Sequence, residues 1–499
     1  MHSPDNLAEI LFSAPGNRTA VVLPDLGIRI SYSHLRDQVM AMADALANLG
    51  ICPGDRIASV FPNGLPAIVS FLAASIAGTA APLNPAYIEN DFRFYLEDTS
   101  AKILLCPPDD ADDARKAAEG KLPTYTVEMD ASGDVRIAGQ GQTLRSAAPS
   151  PDGIALVLHT SGSTGRPKRV PIRHRQISAS ARNIANHYAL SANDVTMCLM
   201  PLFHVHGLVA STISTLLTGG TIVTPGKFNP RSFWQTVREY RVSWYSAVPT
   251  IHHMLLSRAG DDPVAGAEGV RFIRSCSAAL STAMMAKLEH VFGVPVLEAY
   301  GMTEASHQIA SNPLPPLARK PGSVGPGTGV QIGIVDDRWN QLPTGARGEV
   351  VLRGPNVIDG YENNPEANSA SFAGGWFRTG DQGFLDDHGY LTISGRIKEL
   401  VNRGGEKIAP REIDEVLQGH RCVVEAVAFG VPDPVWGEEL EAAAVLSEPQ
   451  SEAELLAYCH RHLPHFKCPQ RIHIVQAIPR TATGKIQRGS VAKALIAAR

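Results

Sequence analysis

The sequence predicts an α/β protein: a large N-terminal domain of doubly wound sheets carrying a small β-rich subdomain, then a small α+β domain. Three observations predict it. From residue 35 to residue 299, short apolar runs alternate with helical stripes, the pattern of strands joined by crossover helices. Between residues 348 and 394 turn pairs thicken (Gly354-Pro355, Gly374-Gly375, Asp386-Asp387-His388-Gly389), as short strands with tight connections require. The remainder reads helix, two strands, helix and strand, a unit of domain size. A chain of 499 residues is too long for one core, so the division into domains is itself expected.

Taken in order, Leu35, Val39, Met42, Leu46 and Leu49 form a helical stripe closed by Gly50, a C-terminal stop signal. Residues 55–61 read as a strand, 65–77 as a helix and 80–83 as a strand. Residues 109–142, acidic and then glycine-rich, read as a surface excursion. Strands follow at 154–158, 195–200, 242–248, 271–276 and 294–299, with a helix over 176–188. In the last unit, helices are predicted over 410–419 and 452–463, and strands over 423–431, 440–446 and 471–477. The spacing sets domains at 1–395 and 396–499.

Composition excludes several classes. Lys and Arg number 45 against 49 Asp and Glu, a net charge of -4, which argues against nucleic acid or an anionic membrane as main partner. Seven cysteines, an odd count without Cys-x-x-Cys, point to free thiols in a reducing compartment. Residues 57–90 and 195–226 lack charge, but prolines, histidines and glycines break both, so neither reads as a membrane span. The N-terminus has no basic-then-apolar leader and the C-terminus no Ser-Lys-Leu, so a cytoplasmic location is expected. Oligomeric state is not legible.

The chemistry concentrates in loops. The strand at 154–158 runs into Thr160-Ser161-Gly162-Ser163-Thr164-Gly165, closed by Lys168. Hydroxyls, a backbone free of Cβ atoms and a point charge together suit a polyphosphate. The spacing is not that of a Walker A loop, nor of a nucleophile elbow around Ser163. His204-x-His206 lacks a third ligand at fixed spacing, so it is read as anion donors at a strand end rather than a metal site. Strands 242–248 and 271–276 end in small residues, among them Ser277, Ala278 and Ala279, which leave room for a flat ligand outside the carboxyl ends. Tyr300-Gly301-Met302-Thr303-Glu304 puts a stacking ring, a hydroxyl and a carboxylate on one turn; Glu304 suits magnesium. Asp381 in Gly375-Trp-Phe-Arg-Thr-Gly-Asp381 suits two ribose hydroxyls, and Lys485 sits on a Thr/Gly loop.

In this order, Thr160 to Lys168, Tyr300 to Glu304, Trp376 to Asp381, Gly395 to Lys398 and Thr483 to Lys485 resemble the five motifs of the acyl-adenylate-forming (AMP-binding) ligase superfamily. The resemblance spans essentially the whole chain. It implies an acid–thiol ligase: carboxylate and MgATP give an acyl-adenylate and pyrophosphate, then coenzyme A takes the acyl group and AMP leaves. It further implies that Lys485 bridges the attacking carboxylate and the α-phosphate, and that Thr303 and Glu304 serve phosphate and Mg2+. Asp381 and Arg396 would bind ribose, and Ser277 to Ala279 with Tyr300, Gly301 and Met302 the adenine side. The small C-terminal domain would be mobile, with Lys398 as its hinge, and Gly404-Gly405 would approach the coenzyme A channel.

Within the superfamily, the stretches around Pro201-Leu-Phe-His-Val-His-Gly207, Phe272 to Ser277 and Met302 to His307 look closest to the oxalate–CoA ligases. That implies oxalate as the acid, with His204, His307, Ser277 and Arg274 as donors to its second carboxylate, which a dry site cannot leave unpaired. A short- or medium-chain or aryl acyl-CoA synthetase is the alternative, and a non-catalytic nucleotide-binding protein the reading from another class. Two departures stand out. Arg169 follows the loop lysine where many relatives have glycine, and Cys276-Ser277 replace a Gly-Gly or Gly-Ala pair, which narrows the acyl site against long fatty acids.

Overall fold

Helix Leu65–Ala77 is apolar on every side and all of it but Pro66 is buried. A helix without a polar face must be enclosed, and the N-terminal part of the fold is built around that need. The computed structural model describes residues 4–141, 144–160, 167–259, 264, 267–480 and 486–497. On one side of this helix lies a seven-stranded sheet in the order Val135–Ile137, Thr124–Met129, Ala101–Cys106, Arg56–Val60, Thr79–Leu83, Ile154–Thr160, Lys168–Arg173. Its inner pairs are parallel and its outermost pairs antiparallel.

An eight-stranded sheet has the order His307–Ser311, Val296–Met302, Phe272–Ser275, Trp244–Ala247, Val195–Cys198, Thr221–Val223, Thr19–Leu23, Ile28–Ser31. It too is parallel within and antiparallel at both edges. Helix His174–His187 touches strands of both sheets, so one apolar core runs between them, from Leu72 and Ile103 to Phe272 and Leu297. The expected doubly wound architecture is present, with Ser31 capping helix Tyr32–Asn48 at the predicted stripe.

The β-rich subdomain is an antiparallel sheet of Gln331–Val335, Gly348–Arg353, Trp376–Leu385 and Phe372–Ala373, with Leu391–Arg396 on Trp376–Leu385. The last unit has its own sheet, Glu406–Ile408, Val401–Arg403, Gly437–Leu446, Val423–Asp433 and Arg471–Ile474. Alternation along Val423–Asp433 sends Ala426 and Ala428 to one core, Val427, Phe429 and Val431 to another. Helices Pro410–Gln418 and Glu452–His462 cover the first; helix Arg488–Ala497 packs on the second.

Two expectations change. Residues 109–142 are not merely a surface excursion: helix Asp112–Ala118 and strands Thr124–Met129 and Val135–Ile137 complete the seven-stranded sheet. Acidic and glycine-rich composition hid the short buried runs Val127, Val135 and Ile137. Residues 206–213 form a π-helix, invisible to a 3.6-residue pattern search. All seven cysteines are free thiols, six buried and Cys52 exposed. Among the described residues no helix is long and apolar enough to cross a membrane.

One buried acid ties the two parts of the chain. Glu298 lies under the sheet edge, accepts from the Gly322 N–H at 3.0 Å and faces Arg411 and Glu415 of the C-terminal unit. Burial raises its pKa from 4.5 to about 7, against the Gly322 N–H and Arg411, which lower it. The folded chain therefore holds a proton that the unfolded chain releases first, so stability falls as pH rises through that window and levels off above it. Glu298→Gln removes the penalty, up to about 3 kcal/mol. Its melting temperature is expected to exceed the parent's at pH 8 by more than at pH 5, measured by scanning calorimetry. A pH-independent difference would refute this.

Candidate active site

Four parallel strands of the eight-stranded sheet bring their carboxyl ends to one edge. Val195–Cys198 leads to His204 and His206; Trp244–Ala247 carries Ser246; Phe272–Ser275 carries Arg274 and leads to Ser277; Val296–Met302 leads to Thr303 and Glu304. In open α/β sheets this is where ligands sit. Close packing makes the edge. A Cβ on Gly207 would fall 2.4 Å from the Pro201 carbonyl oxygen, and one on Gly301 would fall 2.0 Å from that of His307. Glycine is required at both places.

Arg274 is fully buried. Its Nε donates to Tyr188 Oη (2.9 Å), Nη1 to Ser246 Oγ (2.8 Å) and His206 Nε2 (3.3 Å), and Nη2 to His307 Nε2 (3.0 Å) and Gln308 Oε1 (3.0 Å). Among the described residues no carboxylate is among its hydrogen-bond partners. The imidazoles of His206 and His307 stack at 4.9 Å with 23° between planes, and His206 Nδ1 is 3.0 Å from Ser277 Oγ. Ser277 and His307 both hold positive φ, 71° and 110°, a conformation that non-glycine residues keep only when the surroundings impose it.

So Ser277, His307 and Arg274 come together as expected, but Arg274 lies behind the imidazoles with every N–H engaged. Its strand turns it inward, into a network of Tyr188, Ser246 and Gln308. His204, half-buried, accepts from the His206 backbone N–H at 3.2 Å, at the start of the π-helix. His206, read from sequence with His204 as an anion donor at a strand end, is the ring that stacks on His307; the π-helix that carries it has no periodic signature.

A second cluster follows the Val296–Met302 strand. Tyr300 Oη donates to Asp381 Oδ2, and Asp381 pairs with Arg396 Nε at 2.7 Å. Burial and the neighbouring carboxylate push the Tyr300 phenol well up, while Asp381 raises the Arg396 guanidinium. Ala278 and Ala279 lie exposed beside this strand end. Glu304 is 6% exposed and accepts from Tyr361 Oη at 2.9 Å; Thr303 adjoins it, also buried. Lys168 Nζ stands 4.4 Å from the centre of the Tyr361 ring. Burial lowers the Lys168 pKa; Glu304 opposes this and Lys398 reinforces it. Two lysines and one carboxylate thus converge, a donor set of cationic and hard oxygen groups that fits a polyphosphate with its magnesium. Tyr361 gave no signal in sequence.

Arg169 has a definite role. It donates to the Asp98 carbonyl and faces Glu362 at 3.4 Å, while the Glu362 N–H donates to the Arg169 carbonyl. The exit of the phosphate-loop region is clasped where glycine would leave it loose. In the C-terminal unit Gly404 and Gly405 turn at φ 57° and 96°; a Cβ on Gly404 would meet the Trp436 ring at 2.7 Å. Ser161, Gly162, Ser163, Thr164, Gly165 and Lys485 lie outside the described residues; Thr160 and Lys168 flank the loop as the ends of paired strands.

Residues 12–362 match the AMP-binding enzyme family and residues 412–485 its C-terminal domain. The chain is 44% identical to the oxalate–CoA ligase of Arabidopsis thaliana, over 93% of each chain. It is 41% identical to that of Saccharomyces cerevisiae (97% of this chain, 95% of the relative) and 35% to the sulfoacetate–CoA ligase of Cupriavidus necator (93% and 92%). ATP-bound MatB from Rhodopseudomonas palustris superposes with a TM-score of 0.90 at 30% identity over 98% of both chains; its apo form gives 0.79 with the same identity and cover. MenE from Bacillus subtilis, in complex with ATP and magnesium, gives 0.85 at 27% identity (97% of this chain, 99% of that one). With fold, motif order and sequence in agreement over nearly its whole length, the chain belongs to the AMP-binding enzyme family, within the acyl-CoA synthetase superfamily.

Proposed function

We propose that this acid–CoA ligase acts on oxalate, giving oxalyl-CoA, AMP and pyrophosphate from oxalate, ATP and coenzyme A. One observation carries the choice of acid: a fully buried guanidinium without a carboxylate partner, fronted by two imidazoles and a serine hydroxyl at the carboxyl edge of the sheet. A fatty acyl chain gains nothing from such groups. An acid that keeps a second charge while the first reacts needs them. The identity to two oxalate–CoA ligases supports the same reading.

The residues take these parts. The 160–168 loop, with Lys168, holds the β- and γ-phosphates, and Thr303 and Glu304 the phosphate side and Mg2+, which neutralises charge there. Tyr300, Gly301 and Met302, with Ser277 to Ala279, line the adenine side; Asp381 and Arg396 hold the ribose. A carboxylate oxygen of oxalate attacks the α-phosphorus, a C–O–P anhydride forms and the bond to pyrophosphate breaks. Lys485 offsets the charge where two anions meet. The C-terminal unit, 396–499, then turns about Lys398, withdrawing Lys485 and bringing Gly404 and Gly405 toward coenzyme A. The thiol attacks the acyl carbon and AMP leaves.

A panel of oxalate, malonate, sulfoacetate, acetate, octanoate and 4-coumarate, assayed for AMP formation with ATP and coenzyme A, tests this. Oxalate is expected to give the highest kcat/KM. Preference for a monocarboxylate would overturn the choice of acid while leaving the ligase chemistry in place.

A further inference from the structure

We propose that Arg274 is a positioning residue for the acid: it fixes His206 and His307 as neutral rings protonated on Nδ1, and acts on the substrate through them. This rests on the reading of the acyl site given above. A guanidinium donates and never accepts, and it keeps its proton in proteins. Both Nε2 atoms face it, His206 at 3.3 Å and His307 at 3.0 Å, so both must accept. Ser246 Oγ, which receives Arg274 Nη1 at 2.8 Å, stands 2.6 Å from the same His206 nitrogen; with Nε2 as acceptor, the Ser246 hydroxyl and the guanidinium share its one lone pair. A ring that accepts at Nε2 carries its hydrogen on Nδ1. Protonating it fully would set an imidazolium against a buried guanidinium, two like charges out of water.

The consequence reaches the edge of the site. His206 Nδ1–H is donated to Ser277 Oγ at 3.0 Å; with its oxygen so engaged, Ser277 turns its own hydrogen away from the ring. The parallel stack at 4.9 Å keeps both rings in one orientation. Arg274 is fully buried beside Tyr188, Gln308 and the Cys276 thiol, and its charge polarises each donor in the chain. An anion is thereby met by oriented neutral donors, with the charge one layer behind them.

The test is spectroscopic. The intact enzyme, with 15N in its histidine rings and no substrate present, is examined by two-bond 1H–15N correlation; His206→Gln and His307→Gln assign the two rings by loss of signal. Both are expected as neutral Nδ1–H tautomers over about pH 6–8, the range in which an ordinary histidine titrates. An Nε2–H tautomer or an imidazolium at either ring overturns the proposal. Since no acid is present, the result stands or falls independently of whether oxalate is the substrate. In Arg274→Lys, one ammonium cannot serve both rings. Nε2–H signals are expected there, together with a KM for the acid raised about tenfold or more and a KM for ATP little changed. Unaltered tautomers in that variant would also overturn the proposal; should it fail to fold, the parent spectrum decides.

Discussion

Lys485→Ala is expected to slow acyl-adenylate formation by about two to three orders of magnitude, the loss typical of removing one group aimed at charge that develops in a transition state. At the moment of attack a carboxylate approaches a triphosphate, and the repulsion between them is the main electrostatic obstacle. Lysine suits the task because its ammonium is a compact point charge that can face both anions. The flanking Arg480 and Ile486 pair as an antiparallel bridge on the C-terminal unit, so the lysine is carried by the part of the chain proposed to turn. The second half-reaction should therefore survive: with acyl-adenylate supplied, thioester formation is expected near the parent rate. Rapid-quench measurement of pyrophosphate release and of thioester yield separates the two. Adenylation at the parent rate would remove Lys485 from the mechanism.

His307→Ala is expected to raise the KM for oxalate about 10- to 100-fold and to leave the KM for ATP within about twofold. The range follows from a hydrogen bond to a charged group, worth roughly 1.5–3 kcal/mol, at tenfold per 1.4 kcal/mol. The substitution also leaves Arg274 Nη2 with Gln308 alone, so some stability is lost, and a melt recorded alongside shows whether the enzyme assayed is folded. Steady-state kinetics with each substrate varied in turn checks it. Equal rises in both KM values would mean that His307 supports the edge as a whole rather than the acid.

How much of this was legible in sequence depends on what each residue needs from its neighbours. The order of strands and helices was, because burial on both faces of a parallel sheet writes continuous apolar runs such as Ile154–Thr160 and Thr79–Leu83. The candidates for the nucleotide side, Thr303, Glu304 and Asp381, were legible as candidates because they lie in short, ordered motifs. The acid side was only half legible. Ser277 and His307 stand beside small residues, but the groups that hold Arg274 behind them, Tyr188, Ser246 and Gln308, come from three separate elements and resemble ordinary core residues. The inward turn of Arg274 follows from strand parity, which a four-residue strand, Phe272–Ser275, leaves undetermined until its pairing register is known.

Cys276 lies one residue from Ser277 and is 0% exposed. An enzyme that makes a mixed anhydride of an acid and a phosphate makes an acylating agent, and any thiolate of its own within reach would be consumed by it. The end of the strand sorts nucleophiles by direction: sulfur inward, where it meets Arg274 and the core, and the far less reactive hydroxyl outward. With five further cysteines buried and Cys52 alone at the surface, protection from self-acylation is a matter of burial, and coenzyme A can be the thiol that collects the acyl group.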